Sequence, residues 1–162
     1  MRRSRGDKVK RRIPAKDSPH FLWLSLAVIL CDQLLKLLIR REMALGQSIP
    51  IIQGVFHLTY LQNTGAGFGM LQGKTMLLIW FSVMAVGALL YWYDTLPKTR
   101  LRPIALGLII GGTVSNVIDR AVLGSVTDFL DFRIWPVFNL GDACLCIGVL
   151  LLLLCLKEHS DE

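Results

Sequence analysis

The sequence predicts an all-α membrane protein with four transmembrane helices and a small extracytoplasmic β-sheet between the first and second of them. Two observations predict this class. Hydrophobic residues make up 53% of the 162 residues, and charged residues only 19%. The charged residues also cluster at the N-terminus and in short connecting segments, which leaves long apolar runs between them. Such runs match the hydrocarbon core of a bilayer.

Four apolar stretches approach the roughly 17–25 residues that a membrane-spanning helix needs. They cover about residues 21–39, 76–93, 103–117 and 137–156. The third is the shortest, but its glycines would let it pack closely against a neighbouring helix, so we interpret it as a span. The first continues past Asp32 and has leucine before Cys31, which favours an uncleaved span over a signal peptide.

The distribution of lysine and arginine predicts that both termini lie in the cytoplasm. Most of the net charge of +6 comes from a basic tail over residues 1–20. We expect a four-span domain over residues 21–157 after this tail, and a short C-terminal tail over residues 158–162. Arg40 and Arg41 fall on the outer side, against this trend. A basic tail beside a span attracts anionic lipid. No aromatic residue interrupts it before Phe21, so we expect membrane lipids and not nucleic acid as its partner.

The first outer segment, about residues 40–74, is long enough to hold a small sheet. Residues 48–63 are rich in Ile, Val, Phe, Thr and Tyr, and residues 55–61 have the composition of a strand. Gly54 and residues 63–69 supply turns. We therefore expect a sheet lying on the membrane surface.

Ionisable side chains in a span are costly, so each one needs a partner or a function. Asp32 and Lys36 are four residues apart on one helical face, which favours a structural ion pair near the outer end over direct catalysis. Asn116, Asp119 and Arg120 lie within about one turn at the end of the third stretch. They can face the interior of the bundle together.

More acids follow, and one topology places them at the same depth. Asp128 and Asp131 come after the third stretch, and Asn139 and Asp142 share a face where the fourth begins. Two close carboxylates at a low-dielectric boundary retain one proton between them. The ionised member can take a proton from water while the other donates to a scissile carbonyl, as in aspartic peptidases. The residues alone leave Asp119 as a rival member of such a pair.

Other chemistries have less support from the residues. A small proton-coupled transporter or an assembly factor without enzyme activity would also gather acids in its spans. A serine–lysine pair of Ser48 and Lys36 is conceivable, but Ser48 is expected in an ordinary loop. The four cysteines lie in apolar runs without zinc spacing, and there is no His-Glu-x-x-His motif.

Five segments in this order resemble the motifs of the signal peptidase II family, the prolipoprotein signal peptidases of bacteria. They are Asp32-Gln33-x-x-Lys36, Asn63-Thr64-Gly65-Ala66-Gly67-Phe68, Gly111-Gly112 through Asn116-x-x-Asp119-Arg120, Val126-Thr127-Asp128-Phe129 and Phe138-Asn139-Leu140-Gly141-Asp142. Two positions depart from the family pattern. Gly141 replaces the usual alanine, and Thr127 stands where valine is common.

The resemblance implies that Asp128 and Asp142 form a catalytic pair. It makes the remaining motif residues substrate-binding or supporting, with Asp32 and Lys36 bracing the fold; these residues are Asn63, Gly65, Asn116, Asp119, Arg120, Asn139, Asp32 and Lys36. It implies a monomer in the bacterial cell membrane, active at the extracytoplasmic face without a metal or organic cofactor. The implied substrate is a prolipoprotein whose cysteine carries diacylglycerol, cut just before that cysteine.

Overall fold

The structure is a computed structural model that describes residues 20–65 and 70–160. The predicted basic tail lies outside the described residues apart from His20, as do residues 161 and 162 of the C-terminal tail. Residues 66–69, which belong to the second motif, also lie outside them.

Most of the described chain is helical. The elements are α1 (His20–Glu42), β1 (Ser48–Ile52), β2 (Phe56–Asn63), α2 (Thr75–Tyr91), α3 (Arg102–Leu123), β3 (Val126–Asp131) and α4 (Leu140–Ser160), with a single 3-10 turn at Tyr93–Thr95. Helices α1, α3 and α4 are long and apolar enough to cross a membrane. Helix α2 has 17 residues, about 25 Å against a hydrocarbon core of about 30 Å. Length and composition therefore identify three candidate spans among the described residues, and not the predicted four.

Helix α3 is longer than the predicted stretch of residues 103–117. It has 22 residues, and it ends at Gly124, whose φ of 76° provides the left-handed C-cap. The apolar run underestimates this helix because its last turns carry polar side chains, among them Asn116 and Asp119. These side chains are buried in the bundle and do not end the helix.

Helix α3 packs against both α1 and α4 through glycines, as its small residues predict. A side chain on Gly111 would collide with Val28 of α1, and one on Gly112 would overlap the carbonyl oxygen of Gly141 on α4. Ser25 of α1 also donates a hydrogen bond to the Gly107 carbonyl oxygen at 3.1 Å. The three helices therefore approach one another at backbone distance.

The sheet is antiparallel, with the strand order β1-β2-β3. The β1–β2 hairpin comes from the predicted outer segment, but β3 comes from the connection between α3 and α4. The prediction of a sheet confined to the segment between the first two spans was therefore wrong. Strand β3 has the sequence Val-Thr-Asp-Phe-Leu-Asp, in which Val, Thr and Phe favour a strand but the two aspartates oppose it, so its composition gave a mixed signal. Ser48 lies in β1 opposite Thr59, and not in a loop as predicted.

One face of the sheet packs on the end of the bundle where α1 and α3 finish and α4 begins, called here the sheet end. The cluster that joins them consists of Ile39, Met43, Tyr60 and Phe129. Partly buried leucines of β2, β3 and α4 surround it. This apolar contact brings β3 over the ends of the three helices.

Helix α4 begins at Leu140, later than the predicted start near residue 137. Asn139 and Asp142 cap it reciprocally: the Asn139 side-chain oxygen accepts from the Asp142 backbone N–H at 2.8 Å, and an Asp142 carboxylate oxygen accepts from the Asn139 backbone N–H at 3.3 Å. Two orphan N–H groups are thereby satisfied, as in a capping box. Phe138 instead pairs with Leu130 of β3, so the segment before the helix extends the sheet.

The contact between Gly112 and Gly141 gives a stability prediction. Replacing Gly112 with alanine forces α3 away from α4, so we expect a loss of about 1–3 kcal/mol, seen as a lower midpoint of thermal unfolding in detergent. Gly87→Ala in α2 is the matched control, because nothing lies within 4 Å of the added carbon. Equal unfolding midpoints for the two variants would contradict the close approach.

Candidate active site

A buried ion pair joins three helices at the sheet end. Asp32 and Lys36 are each 0% exposed, with 2.7 Å between the Lys36 Nζ and an Asp32 carboxylate oxygen. The same oxygen accepts from the Ser115 hydroxyl at 2.6 Å, and the other accepts from the Gly141 N–H at 3.0 Å. The ion pair predicted from the spacing of these residues is present, and it connects α1 to both α3 and α4.

The side chain of Lys36 also compensates a second acid. Its Nζ donates to the Asn116 side-chain oxygen at 2.8 Å and lies 3.4 Å from Asp119. Asp119 in turn accepts from the Gln33 side chain at 2.9 Å and from the Thr127 N–H at 2.9 Å. Asp119 therefore holds the start of β3 against α1 and α3. It does not line the cleft that contains the other two acids.

Asp128 and Asp142 line one cleft of about 960 Å³ at the sheet end. Asp128 comes from β3 and is buried, whereas Asp142 lies in the first turn of α4 and is half-buried. Asn139 contacts both, because its side-chain amide donates to Asp128 at 2.7 Å while its backbone N–H faces Asp142 at 3.3 Å. The structure therefore brings together the two acids that the family motifs single out.

Neutral amides, and not cations, occupy the remaining oxygens of this pair. Asn63 donates to Asp128 at 3.1 Å, and Asn116 donates to Asp142 at 2.8 Å. Asn116 thus bridges the buried Lys36 and the cleft. Each predicted asparagine fixes the orientation of a carboxylate.

Burial, and to a smaller extent the negative charge of Asp142, raises the pKa of Asp128 from its ordinary value of 3.8 to about 7. The hydrogen bonds from Asn63 and Asn139 and the charge of Lys36 act in the opposite direction but do not outweigh burial. Near neutral pH, Asp128 can therefore hold a proton. A protonated acid beside a second carboxylate is the arrangement that general acid–base chemistry requires.

Arg120, in the last turn of α3, also lines the cleft. Its Nη2 donates to the Gly65 carbonyl oxygen at 3.0 Å, and the Gly65 N–H donates to the Asn63 side chain at 2.9 Å. The Arg120 Nε is buried and has no hydrogen-bond partner within the described part of the chain. It is a donor at the cleft that a substrate carbonyl could satisfy.

Sequence reasoning gave no site role to Arg40, whose place on the outer side opposed the charge trend. Its Nη1 donates to the Thr127 hydroxyl at 3.0 Å and lies 3.6 Å from Asp119. Because Thr127 stands where valine is common, its hydroxyl gives Arg40 a buried hydrogen-bond acceptor next to Asp128 in the chain. The sequence prediction also gave no role to Ser115. Its position three residues after Gly112 and four before Asp119 places it on the same helical face, and this spacing could have indicated its role.

The second departure, Gly141, has a packing consequence. A side-chain carbon there would lie 3.0 Å from an Asp32 oxygen and 3.1 Å from both the Asn139 side chain and the Gly112 carbonyl oxygen. Glycine thus lets the backbone approach Asp32 closely without displacing the cap of α4.

Over residues 20–65 and 70–160, no group of three or more His, Cys, Asp or Glu side chains is arranged to hold a metal ion.

The buried ion cluster gives a second prediction. Lys36→Met leaves Asp32 and Asp119 buried without their cation, so we expect a loss of about 3–5 kcal/mol in the free energy of unfolding. Lys74→Met, at an exposed lysine, is the control and should unfold like the parent. Adding Asp32→Asn to Lys36→Met should recover part of the loss. A Lys36→Met variant with the parent's unfolding midpoint would show that the cluster does not support the fold.

Comparison with known proteins agrees with this geometry. A family model described as signal peptidase (SPase) II matches residues 24–157. The chain is 50% identical over 135 residues to a lipoprotein signal peptidase of Halothermothrix orenii, covering 83% of this chain and 93% of that protein. It is 40% identical over 147 residues to a lipoprotein signal peptidase of Bacillus subtilis, covering 88% and 96%.

Solved structures show the same fold. A bacterial membrane enzyme determined by the in meso method at 2.3 Å resolution has a TM-score of 0.81 and 30% identity, over 86% of this chain and 88% of that one. A second, determined by the same method at 1.9 Å, has a TM-score of 0.75 and 31% identity, over 84% and 91%. The family model spans most of the described helices and strands together with both acids of the cleft, and the chain therefore belongs to the signal peptidase II family.

Proposed function

We propose that this chain is a membrane aspartic endopeptidase that removes signal peptides from diacylglyceryl-modified prolipoproteins, cutting before the lipidated cysteine. The observation that carries the proposal is the pair Asp128 and Asp142 in one cleft, both in contact with Asn139 and both bound by asparagine amides. The relatives' name, lipoprotein signal peptidase, supports the substrate class. A non-enzymatic transporter or assembly factor is not favoured, since the family is one of peptidases.

The chemistry follows from one proton shared by two carboxylates. Asp142, when ionised, takes a proton from a water molecule, and the water oxygen adds to the scissile carbonyl carbon. Asp128, when protonated, donates to the carbonyl oxygen as it becomes an oxyanion. Asp142 then returns its proton to the nitrogen while Asp128 regains one from a hydroxyl of the tetrahedral intermediate, so the C–N bond breaks. This releases the signal peptide as an acid and the lipidated cysteine as an amine.

Arg120 would hold the substrate backbone, whereas the asparagine amides hold the acids. A signal helix must unwind at the cut, and its exposed N–H and C=O groups need partners because lipid offers none. The Arg120 Nε, which has no partner among the described residues, provides a donor to a substrate carbonyl, while Asn63, Asn116 and Asn139 keep the carboxylates aimed into the cleft. Gly65 contributes by holding Arg120 in place.

The family and the apolar helices make the chain a bacterial membrane protein. Within the proposal, α2 is a fourth, short span, both termini are cytoplasmic, and the sheet end with its cleft faces the extracytoplasmic side. The domain boundaries at residues 1–20, 21–157 and 158–162 belong to the same proposal. The large apolar side chains exposed on α1 and α4 are suited to lipid contact, and the presence of both cleft acids in one chain is consistent with an active monomer.

Removal of either acid tests the proposal. Asp128→Asn and Asp142→Asn should each lower the rate of cleavage of a lipidated precursor by about 10³-fold or more, because a neutral amide can neither take nor donate the proton. Asp94→Asn, at an exposed aspartate outside the cleft, should cleave like the parent. Normal cleavage by either cleft variant would disprove the assignment of the pair.

Unfolding measurements separate lost chemistry from lost folding. Because the pKa of Asp128 rises from 3.8 to about 7 on folding, the folded state loses stability as pH increases between these values. Asparagine removes that penalty. Asp128→Asn should therefore unfold at the same temperature as the parent, or higher, at pH 8. A marked decrease would mean that the carboxylate is needed for folding.

A further inference from the structure

Arg133 has an unusual backbone conformation just after β3. Its φ is 66°, one of two positive values at non-glycine positions in the described chain, the other being at Leu71. A left-handed conformation is disfavoured for a long side chain, and it persists where surrounding contacts over-determine it. In this protein the contacts that fix the Arg133 backbone come from Asp131, two residues earlier.

Asp131 and Arg133 form a rigid clamp. One Asp131 oxygen accepts from the Arg133 N–H at 2.9 Å, and the other accepts from the Arg133 Nη1 at 3.0 Å and from the Thr59 hydroxyl at 2.7 Å. Burial alone would raise the pKa of Asp131, but these hydrogen bonds hold it below its ordinary value. The carboxylate is almost fully buried, whereas the Arg133 side chain is 50% exposed. The clamp therefore holds a half-exposed guanidinium in one position, with its charge matched by the Asp131 carboxylate.

The clamp lines the same cleft as the two acids but lies at its other end. Asp131 is three residues beyond Asp128 on β3, which places it about 10 Å farther along the strand. On the opposite side, Leu145 and Cys146 of α4 line the cleft about one turn deeper into the bundle than Asp142. The cleft thus extends from Leu145 and Cys146 in the bundle to Arg133 after β3, where apolar side chains such as Trp135 and Val137 also line it.

We propose that Arg133 is a specificity-determining residue that binds an acidic side chain in the part of the substrate after the cut. The inference rests on the proposed function, because it needs a peptide that crosses the two acids. The apolar signal segment matches the bundle end, so the chain after the cut leaves across the sheet end. An extended peptide advances about 3.3 Å per residue, so about its third residue reaches Arg133. A guanidinium fixed by its own carboxylate binds a second carboxylate with little loss of side-chain entropy.

A charge-swap experiment tests this assignment. Three lipidated precursor peptides would be compared that differ only in having Asp, Asn or Lys at the second to fourth positions after the cut, with kcat and KM measured in detergent for each. The parent enzyme should prefer the Asp peptide over the Lys peptide by about fivefold in kcat/KM, mainly through KM. Arg133→Gln should remove the preference and Arg133→Glu should reverse it.

Arg41→Glu is the matched control, because Arg41 is exposed at the same end of the bundle and does not line the cleft. It should keep the parent's preference. A preference that survives Arg133→Glu unchanged would overturn the assignment. The assignment would also be overturned if the Arg133 variants lost the same activity on all three peptides and only in vesicles that contain phosphatidylglycerol. Arg133 would then be a contact for a lipid headgroup.

The outcome is separable from that of the proposed function. If the parent cleaves all three peptides equally well and Asp128→Asn cleaves none, the peptidase assignment stands and the role of Arg133 is wrong. If the parent cleaves none of them, the peptidase proposal itself fails. Unfolding midpoints of the Arg133 variants within a few degrees of the parent's would show that any altered preference does not come from a damaged sheet.

Discussion

The buried contact between Lys36 and two aspartates is the constraint on which the sheet end depends. A charge in the membrane interior is costly unless it is compensated, so Lys36 requires acids from the helices around it. It receives Asp32 from its own helix and Asp119 from α3, and Asp32 in turn holds the Gly141 N–H at the start of α4. Asp119 holds the Thr127 N–H at the start of β3. One cation thereby sets the positions of the two elements that carry the cleft acids.

Four acids of the sheet end, Asp32, Asp119, Asp128 and Asp142, separate into two kinds according to their partners. Asp32 and Asp119 lie beside Lys36 and serve as structural counter-charges. Asp128 and Asp142 are bound by asparagine amides, which orient a carboxylate without neutralising it. Burial without a direct cation keeps the proton on Asp128 up to about pH 7. The same region therefore provides both a stable ionic core and a pair able to exchange a proton.

Local spacing made part of this arrangement predictable. The four-residue interval between Asp32 and Lys36 predicts their ion pair, and the spacing of Asn116 and Asp119 predicts that both face inward. Spacing cannot show which acids meet across the fold, so Asp119 stayed a rival to Asp128 until the family motifs were considered. Strand β3 was not predicted because its two aspartates oppose the strand propensity of its Val, Thr and Phe. The conformation of Arg133 likewise depends on tertiary contacts that no local pattern reveals.

The pH dependence of kcat/KM on a precursor without groups that titrate between pH 5 and 9 tests the shared proton most directly. The active form carries one proton on the pair, and its loss from Asp128 leaves two carboxylates that repel each other and have no acid to donate. The rate should therefore fall above neutrality, with an apparent pKa near 7. A rate that stays constant up to pH 9 would contradict the account, because the enzyme would then work without a proton held on Asp128.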